Sequence, residues 1–109
     1  MLNPFQKLIE KQIEDVSHKM TAAAEELLSM EIVGSAGGGA VKVTVSGLGE
    51  VLEVTIDPQV ISEGDCELIQ DLLCAGMREA LRKASEIKRT KLADVLPLAG
   101  LGMELPEIL

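Results

Sequence analysis

Aromatic residues are almost absent from this chain of 109 residues, in which Phe5 stands alone, with no tryptophan and no tyrosine. Proteins that bind single-stranded nucleic acid commonly stack bases on aromatic side chains, so the composition disfavours a site of that kind. The apolar residues, 47% of the chain, are carried by Val, Leu, Ile, Ala and Met. Because such a core has few large anchors, we expect the subunit to self-associate and bury more aliphatic surface.

Residues that carry out catalysis or bind metals are also few. His18 is the only histidine, and its place on a predicted helix favours a solvated side chain over a catalytic base. Cys66 and Cys74 lie eight residues apart in another predicted helix, so about 12 Å separates their Cα atoms, too far for a disulfide. Two unpaired thiols indicate a reducing compartment, and no C-x-x-C spacing indicates a metal. We predict that the protein is not an enzyme and uses no cofactor.

Long apolar runs are missing as well, so the sequence predicts no membrane-spanning segment and no membrane partner. The N-terminus lacks the apolar core of a signal peptide, and we expect a cytoplasmic protein. The length fits one domain over residues 1–109 with a single modest core.

The clearest secondary-structure signal lies in residues 40–58, where apolar and polar residues alternate on either side of Gly47-Leu48-Gly49. This period of two predicts a β-hairpin with one apolar face. The apolar positions are Val41, Val43 and Val45 in the first arm and Leu52, Val54 and Ile56 in the second. A lone hairpin is marginal in water, so we expect the flanking helices to cover this face.

A long amphipathic helix is predicted before the hairpin, with Asn3 as its cap, Pro4 at its first position and Gln6 completing a capping box. We expect it to end near Ser29. Its apolar residues recur at spacings of four and three, which is typical of a helix that packs lengthwise on a partner. They are Phe5, Ile9, Ile13, Val16, Met20, Ala23, Leu27 and Met30.

A short strand is predicted at Glu31-Ile32-Val33-Gly34. The following run, residues 35–39, is rich in glycine and precedes a strand. A phosphate-binding P-loop would open a helix there and carry a Lys-Ser/Thr pair, so we interpret the run as a flexible turn.

A second long helix is predicted after the hairpin, capped by Ser62 or Asp65 and stopped by Pro97. Its apolar face narrows to small residues, which allow close contact between a helix and its neighbour. These positions are Ile69, Leu72, Leu73, Gly76, Met77, Ala80, Ala84 and Ile87. We expect residues 98–109 to be a flexible tail or to lie on a neighbouring surface.

Charge is distributed unevenly along the chain. The formal net charge is −8, yet six of the ten basic residues fall between positions 78 and 91. They are Arg78, Arg82, Lys83, Lys88, Arg89 and Lys91. One interpretation is that these cations favour the C-terminal half of a helix dipole. The other is that Arg78, Arg82, Arg89 and Lys83 share one side of the helix and contact phosphates of duplex DNA.

The sequence also resembles the YbaB/EbfC nucleoid-associated proteins of bacteria. The run from Val33 to Gly47 is similar to the family pattern V-x-G-x-x-G-x-G-x-V-K-V-T-x-x-G. Residues 54–58, VTIDP, match V-x-I-D-P, and residues 102–106, GMELP, match a Gly-Met-x-Leu-Pro ending. Together these motifs and the flanking helices cover nearly the whole chain.

The resemblance implies an α+β fold: an α-β-β-β-α subunit with a three-stranded antiparallel sheet between two long helices. It further implies a homodimer formed through the sheet region, with the helices projecting like the arms of tweezers. Duplex DNA would bind to these arms, and the protein would lie in the nucleoid and organise it or regulate genes.

The first helix departs from the family pattern, because it has fewer basic residues than the K-Q-A-Q-like start of many members. Only the location of the DNA contacts is therefore carried over. The residues that fit this location are Arg78, Arg82, Lys83, Lys88 and Arg89 on the second helix and Lys7 and Lys11 on the first.

Two hypotheses follow for the function. The first is a homodimer that binds duplex DNA mainly through its phosphates. The alternative is a protein-interaction scaffold whose acidic amphipathic arms hold another protein and whose DNA affinity is negligible. The alternative draws on the net charge of −8 and on the acidic residues Glu10, Glu14, Asp15, Glu25 and Glu26.

Overall fold

The fold was determined as a computed structural model that describes residues 3–95. The elements occur in the predicted order of helix, three strands and helix, with one short helix added before the last. Their bounds are α1 Pro4–Ser29, β1 Ile32–Ala36, β2 Val41–Val45, β3 Val51–Ile56, α2 Pro58–Ser62 and α3 Cys66–Val95. The predicted stop at Pro97 and the expected tail lie outside the described residues.

The helix starts follow the predicted capping chemistry. The Asn3 side chain accepts a hydrogen bond from the Gln6 amide at 2.7 Å, and the Asn3 amide donates to the Gln6 side chain at 3.1 Å. This capping box satisfies two amides that have no partner within the helix. At α3, Asp65 is the cap, because its carboxylate accepts from the Leu68 amide at 3.0 Å. The short helix α2 was missed by sequence reasoning, although Asp57 caps it and Pro58 opens it.

The three strands form one antiparallel sheet in the order β1-β2-β3. Gly34 pairs with Val43, and Val43 pairs with Val54, so these three residues share one face of the sheet. At the end of the hairpin Val45 faces Val51, which leaves Leu52 as the extra residue of a β-bulge. The sheet is therefore a meander with β1 and β3 as its two edges.

The core forms where α3 crosses one face of β1 and β2. Small residues allow the close contact that the narrowing apolar face of α3 predicts, since Gly76, Ala80 and Ala84 are its buried residues. At Gly34 a methyl group would lie 2.5 Å from the Gly76 carbonyl oxygen and closer still to the Ala80 amide nitrogen. Only glycine fits at this crossing. The buried valines of β2 lie beneath α3, at positions 41, 43 and 45.

The helix α1 is held by its C-terminal third. Of its residues only Ala23 and Leu27 are buried, and the Gly47 amide donates a hydrogen bond to the Leu27 carbonyl oxygen at 2.7 Å. A Cβ at Gly47 would lie 2.6 Å from that same oxygen, so glycine permits this contact. The N-terminal part of the predicted apolar seam projects into solvent, with Phe5 70%, Ile9 42% and Ile13 65% exposed, whereas Met30 packs against the core.

The hairpin face is covered only in part, contrary to the expectation from sequence. The α3 helix packs on β1 and β2, and every residue of β3 except Ile56 is exposed. Leu52 and Val54 remain 50% and 41% exposed on an edge strand. The physical reason is width, because a single helix covers about two strands spaced about 4.8 Å apart.

The glycine run forms a turn, as predicted. Residues Gly37–Gly39 all have positive φ angles, of +62°, +66° and +95°, and the Ala40 amide closes this left-handed turn by donating to the Gly37 carbonyl oxygen at 3.3 Å. Residues other than glycine rarely adopt such φ angles. The geometry of the turn therefore accounts for three successive glycines, and no phosphate-binding role is needed to explain them. The strand β1 extends to Ala36, two residues further than predicted.

Candidate nucleic-acid interface

Three arginines form a stripe on the outward face of α3. At 100° per residue, Arg78, Arg82 and Arg89 lie within about 40° of one another around the helix axis. They point away from the sheet, because Ala80, about 180° from Arg89 on the helix, is fully buried against it. The predicted one-sided arrangement of these three residues therefore exists, and we refer to it as the arginine stripe.

The three arginines of the stripe differ in their exposure to solvent and in the partners of their side chains. Arg78 is exposed and makes no ion pair with any residue in the range 3–95. Arg82 pairs with Glu86 at 2.8 Å, with the two side chains 59% and 63% exposed. Exposed pairs one turn apart contribute only about 0.3–0.5 kcal/mol, so a phosphate can displace the carboxylate. Arg89 is half-buried, and its Nε is buried without a hydrogen-bond partner among the described residues.

Lys83 faces the sheet edge instead of the arginine stripe. Its ammonium donates to the Val33 carbonyl oxygen at 3.0 Å and pairs with Glu79 at 3.0 Å. The Glu79 carboxylate in turn accepts from the Ser35 amide at 3.3 Å. These two side chains of α3 thus satisfy backbone groups on the outer edge of β1, and the positive charge of Lys83 is neutralised.

The electrostatics of this contact are visible at Glu79. The hydrogen bond from Lys83, followed by that from the Ser35 amide, holds the pKa of the Glu79 carboxyl below its ordinary value, and the charges of Lys83 and Arg82 act in the same direction. The folded protein therefore favours the ionised form of the Glu79 carboxyl, which accepts these hydrogen bonds.

Lys88 lies on a third side of α3. It is half-buried beside a shallow cleft of about 280 Å³ that Gly47, Leu48, Gly49, Leu81, Ala84 and Ser85 also line. Its angular position is about 100° from Arg89 around the helix. Lys88 can reach an anion only at the flank of the arginine stripe.

Lys7 and Lys11 lie on the projecting part of α1. Both are exposed, one helical turn apart, and on the side opposite the apolar seam. Each is free of ion pairs with the rest of residues 3–95. The structure therefore places these lysines on a separate arm from the arginine stripe.

One of the six basic residues between positions 78 and 91 links the two long helices. Lys91, which was left out of the predicted DNA contacts, forms an ion pair with Glu26 of α1. No sequence signal reveals this long-range pair, since 65 residues separate its members. The Glu79–Lys83 contact, by contrast, has an i, i+4 spacing that is visible in the sequence.

Other kinds of site find little support in the part of the chain that the structure describes. Within residues 3–95 no three His, Cys, Asp or Glu side chains are grouped so that they could hold a metal ion. His18, Cys66 and Cys74 are all exposed, and both thiols are free. No helix in this range is both long and apolar enough to cross a membrane.

Comparison with known proteins identifies relatives of this chain. A model of the YbaB/EbfC DNA-binding family matches residues 3–99. A protein of Dictyoglomus thermophilum named nucleoid-associated protein is 41% identical over 101 residues, which cover 90% of this chain and 95% of that protein. A protein of the same name from Rhodococcus erythropolis is 43% identical over 96 residues, 87% of this chain and 83% of its own.

The fold also occurs in a solved structure. The crystal structure of the uncharacterized protein HP0035 from Helicobacter pylori matches with a TM-score of 0.71 at 22% identity, and the match covers 86% of this chain and 96% of that one. This likeness confirms the predicted subunit fold. The family match extends over the sheet and both long helices, and the chain is a member of the YbaB/EbfC DNA-binding family.

Proposed function

We propose that the protein binds duplex DNA as a homodimer, mainly through phosphate contacts made by its projecting helices. The observation that carries this proposal is the arginine stripe, which presents guanidinium groups along one face of α3 in a chain of net charge −8. Guanidinium groups bind phosphate oxygens in a bidentate manner. Lys7 and Lys11 extend the positive surface along α1, while Lys83 contributes to the fold and Lys88 lies at the flank.

The homodimer is proposed to form through β3. This strand has a neighbour on one side only and leaves Leu52 and Val54 half exposed. Beside it Met77 and Leu81 of α3 are also 36% and 42% exposed. Pairing two β3 edges would cover these apolar side chains and give the backbone of both strands a partner.

The proposed function is that of a nucleoid-associated protein, in keeping with the names of its relatives. Such a protein lies in the cytoplasm, at the nucleoid. Because contacts to phosphates carry no sequence information directly, we expect weak sequence preference and an effect on nucleoid organisation or gene regulation through DNA shape.

The experiment is a binding isotherm by fluorescence anisotropy on a labelled random duplex across a series of salt concentrations at fixed pH. Each phosphate that the protein neutralises contributes about 0.9 to the slope of log affinity against log salt. We expect measurable affinity at low salt and a slope of several units. No binding at low salt to random or genomic duplexes would contradict the proposal and favour the scaffold hypothesis.

The site is tested by replacing Arg78, Arg82 and Arg89 together by alanine. We expect a loss of affinity at every salt concentration and a smaller slope, by about 0.9 for each contact removed. Lys42→Ala is a matched control, since Lys42 is an exposed cation of β2 away from the arginine stripe. An unchanged slope in the triple variant, with the dimer intact, would remove the proposed surface.

A further inference from the structure

The projecting part of α1 carries an apolar surface that is largely uncovered within residues 3–95. Phe5, Ile9 and Ile13 are 70%, 42% and 65% exposed, and Val16 and Met20 are half-buried. These five residues form what we call the free seam. From Phe5 to Met20 it is about 22 Å long at 1.5 Å per residue. Exposed apolar stripes of this length commonly mark a binding surface.

The free seam continues a strip that α3 already covers. Ala23, on the same side of α1, is buried, and Glu26 pairs with Lys91 of α3. The last described residue, Val95, shares a cleft of about 210 Å³ with Lys19, Ala22 and Ala23 of α1. The chain beyond Val95 therefore starts beside the end of the free seam.

The composition and length of that remaining chain fit the free seam. Residues 96–109 read LPLAGLGMELPEIL, in which seven of fourteen residues are Leu, Ile or Met. Prolines at positions 97 and 106 disfavour a long helix and favour an extended path. Fourteen extended residues span up to about 46 Å, twice the length of the free seam.

We propose that residues 96–109 bind the free seam of α1 in their own subunit. The apolar side chains of the segment would then leave water together with those of Phe5, Ile9 and Ile13. Attachment at Val95 makes this an intramolecular contact, which favours it over a separate partner of equal affinity. Lys7 and Lys11 stay accessible, because they lie on the opposite side of α1, and the contact is independent of DNA binding.

The test uses a nitroxide label on the segment and NMR of the full-length ¹⁵N-labelled protein. In a Cys66→Ser, Cys74→Ser background, Glu104→Cys supplies the only thiol, and the apolar residues of the segment are kept. We expect the label to cause a loss of the amide signals of Ile9, Ile13 and Val16, which return when the nitroxide is reduced. Unchanged seam signals would overturn the proposal.

Two further measurements separate the alternatives. Ile13→Glu should restore the lost signals, whereas His18→Glu, the same charge on the opposite side of α1, should not; equal effects would overturn the proposal. Labelled protein without nitroxide is then mixed with unlabelled protein that carries it. Signal loss at the seam in this mixture would place the segment on a second copy and also overturn the proposal, while its absence supports binding within one subunit.

Discussion

The two edge strands of the sheet differ in how far they are covered. The outer edge of β1 lies under α3, and Lys83 and Glu79 bond to the Val33 carbonyl oxygen and the Ser35 amide. The other edge, β3, is not covered by α3, and Leu52 and Val54 lie half exposed there. Since an unpaired strand edge is a template for another strand, the contrast shows which edge is available for association.

The difference teaches that one helix can protect one edge of a sheet while it builds the core. Two features make β1 a poor partner for a second chain. The helix α3 lies directly against Gly34, and its side chains Glu79 and Lys83 bond to the backbone groups at the outer edge of β1. Because α3 packs on β1 and β2, β3 stays exposed, together with Met77 and Leu81. Three substitutions break or sharpen this comparison.

The largest effect is expected where α3 lies closest to β1. Gly34→Ala places a methyl group 2.5 Å from the Gly76 carbonyl oxygen, with backbone atoms that cannot rotate away. We expect the free energy of unfolding to fall by about 3 kcal/mol, the upper part of the range for overpacked cores. Urea denaturation measures it. The control is Gly64→Ala, which meets no atom within 4 Å and should cost about 1 kcal/mol through its positive φ.

The next effect concerns the open edge. Val54→Lys puts a charge on the α3 side of β3, where the proposed partner strand would bury it, so we expect loss of the dimer with the subunit still folded. Sedimentation velocity reports the mass and circular dichroism the fold. Thr55→Lys adds the same charge to the opposite face of β3, and a larger fraction of this variant than of Val54→Lys should remain dimeric. If both variants stay dimeric, the proposed interface is wrong.

The smallest effect concerns the covered edge. The pKa of Glu79 is lowered in the folded state, so its contribution to stability is complete above its ordinary pKa and is lost as pH falls through the lowered value. Glu79→Gln should therefore be less stable than the parent at neutral pH, and the difference should narrow as pH falls through the lowered pKa. Urea denaturation at neutral pH and in a series of acidic buffers measures this. Glu86→Gln, which removes only an exposed pair, should show a smaller change.

Much of the fold was predictable because its signals are local. The capping box of Asn3 and Gln6, the end of α1 at Ser29 and the alternation in β2 depend on neighbouring residues, and all appear as predicted. The small residues of α3 also predicted its close contact with the sheet. The exposed β3 was not predictable, since alternation shows an apolar face without showing what covers it.

The candidate site likewise has features that local spacing predicted and features that depend on long-range contacts. Spacing alone put Arg78, Arg82 and Arg89 on one side of a helix, because helical periodicity fixes relative angles. It did not separate them from Lys83, whose hydrogen-bond partner Val33 lies 50 residues away in sequence. Nor did it show Lys91 pairing with Glu26.

The sequence by itself determined the order of the three strands and the two long helices, the Asn3 cap of α1, the one-sided arginines and the family. The tertiary structure decided which cations remain available, which strand edge is covered and how far α1 projects beyond its contact with α3. The physical reason is that periodicity and capping act within a few residues, whereas burial and ion pairing depend on where α3 crosses the sheet. That crossing is set by the close approach of Gly34, Gly76 and Ala80.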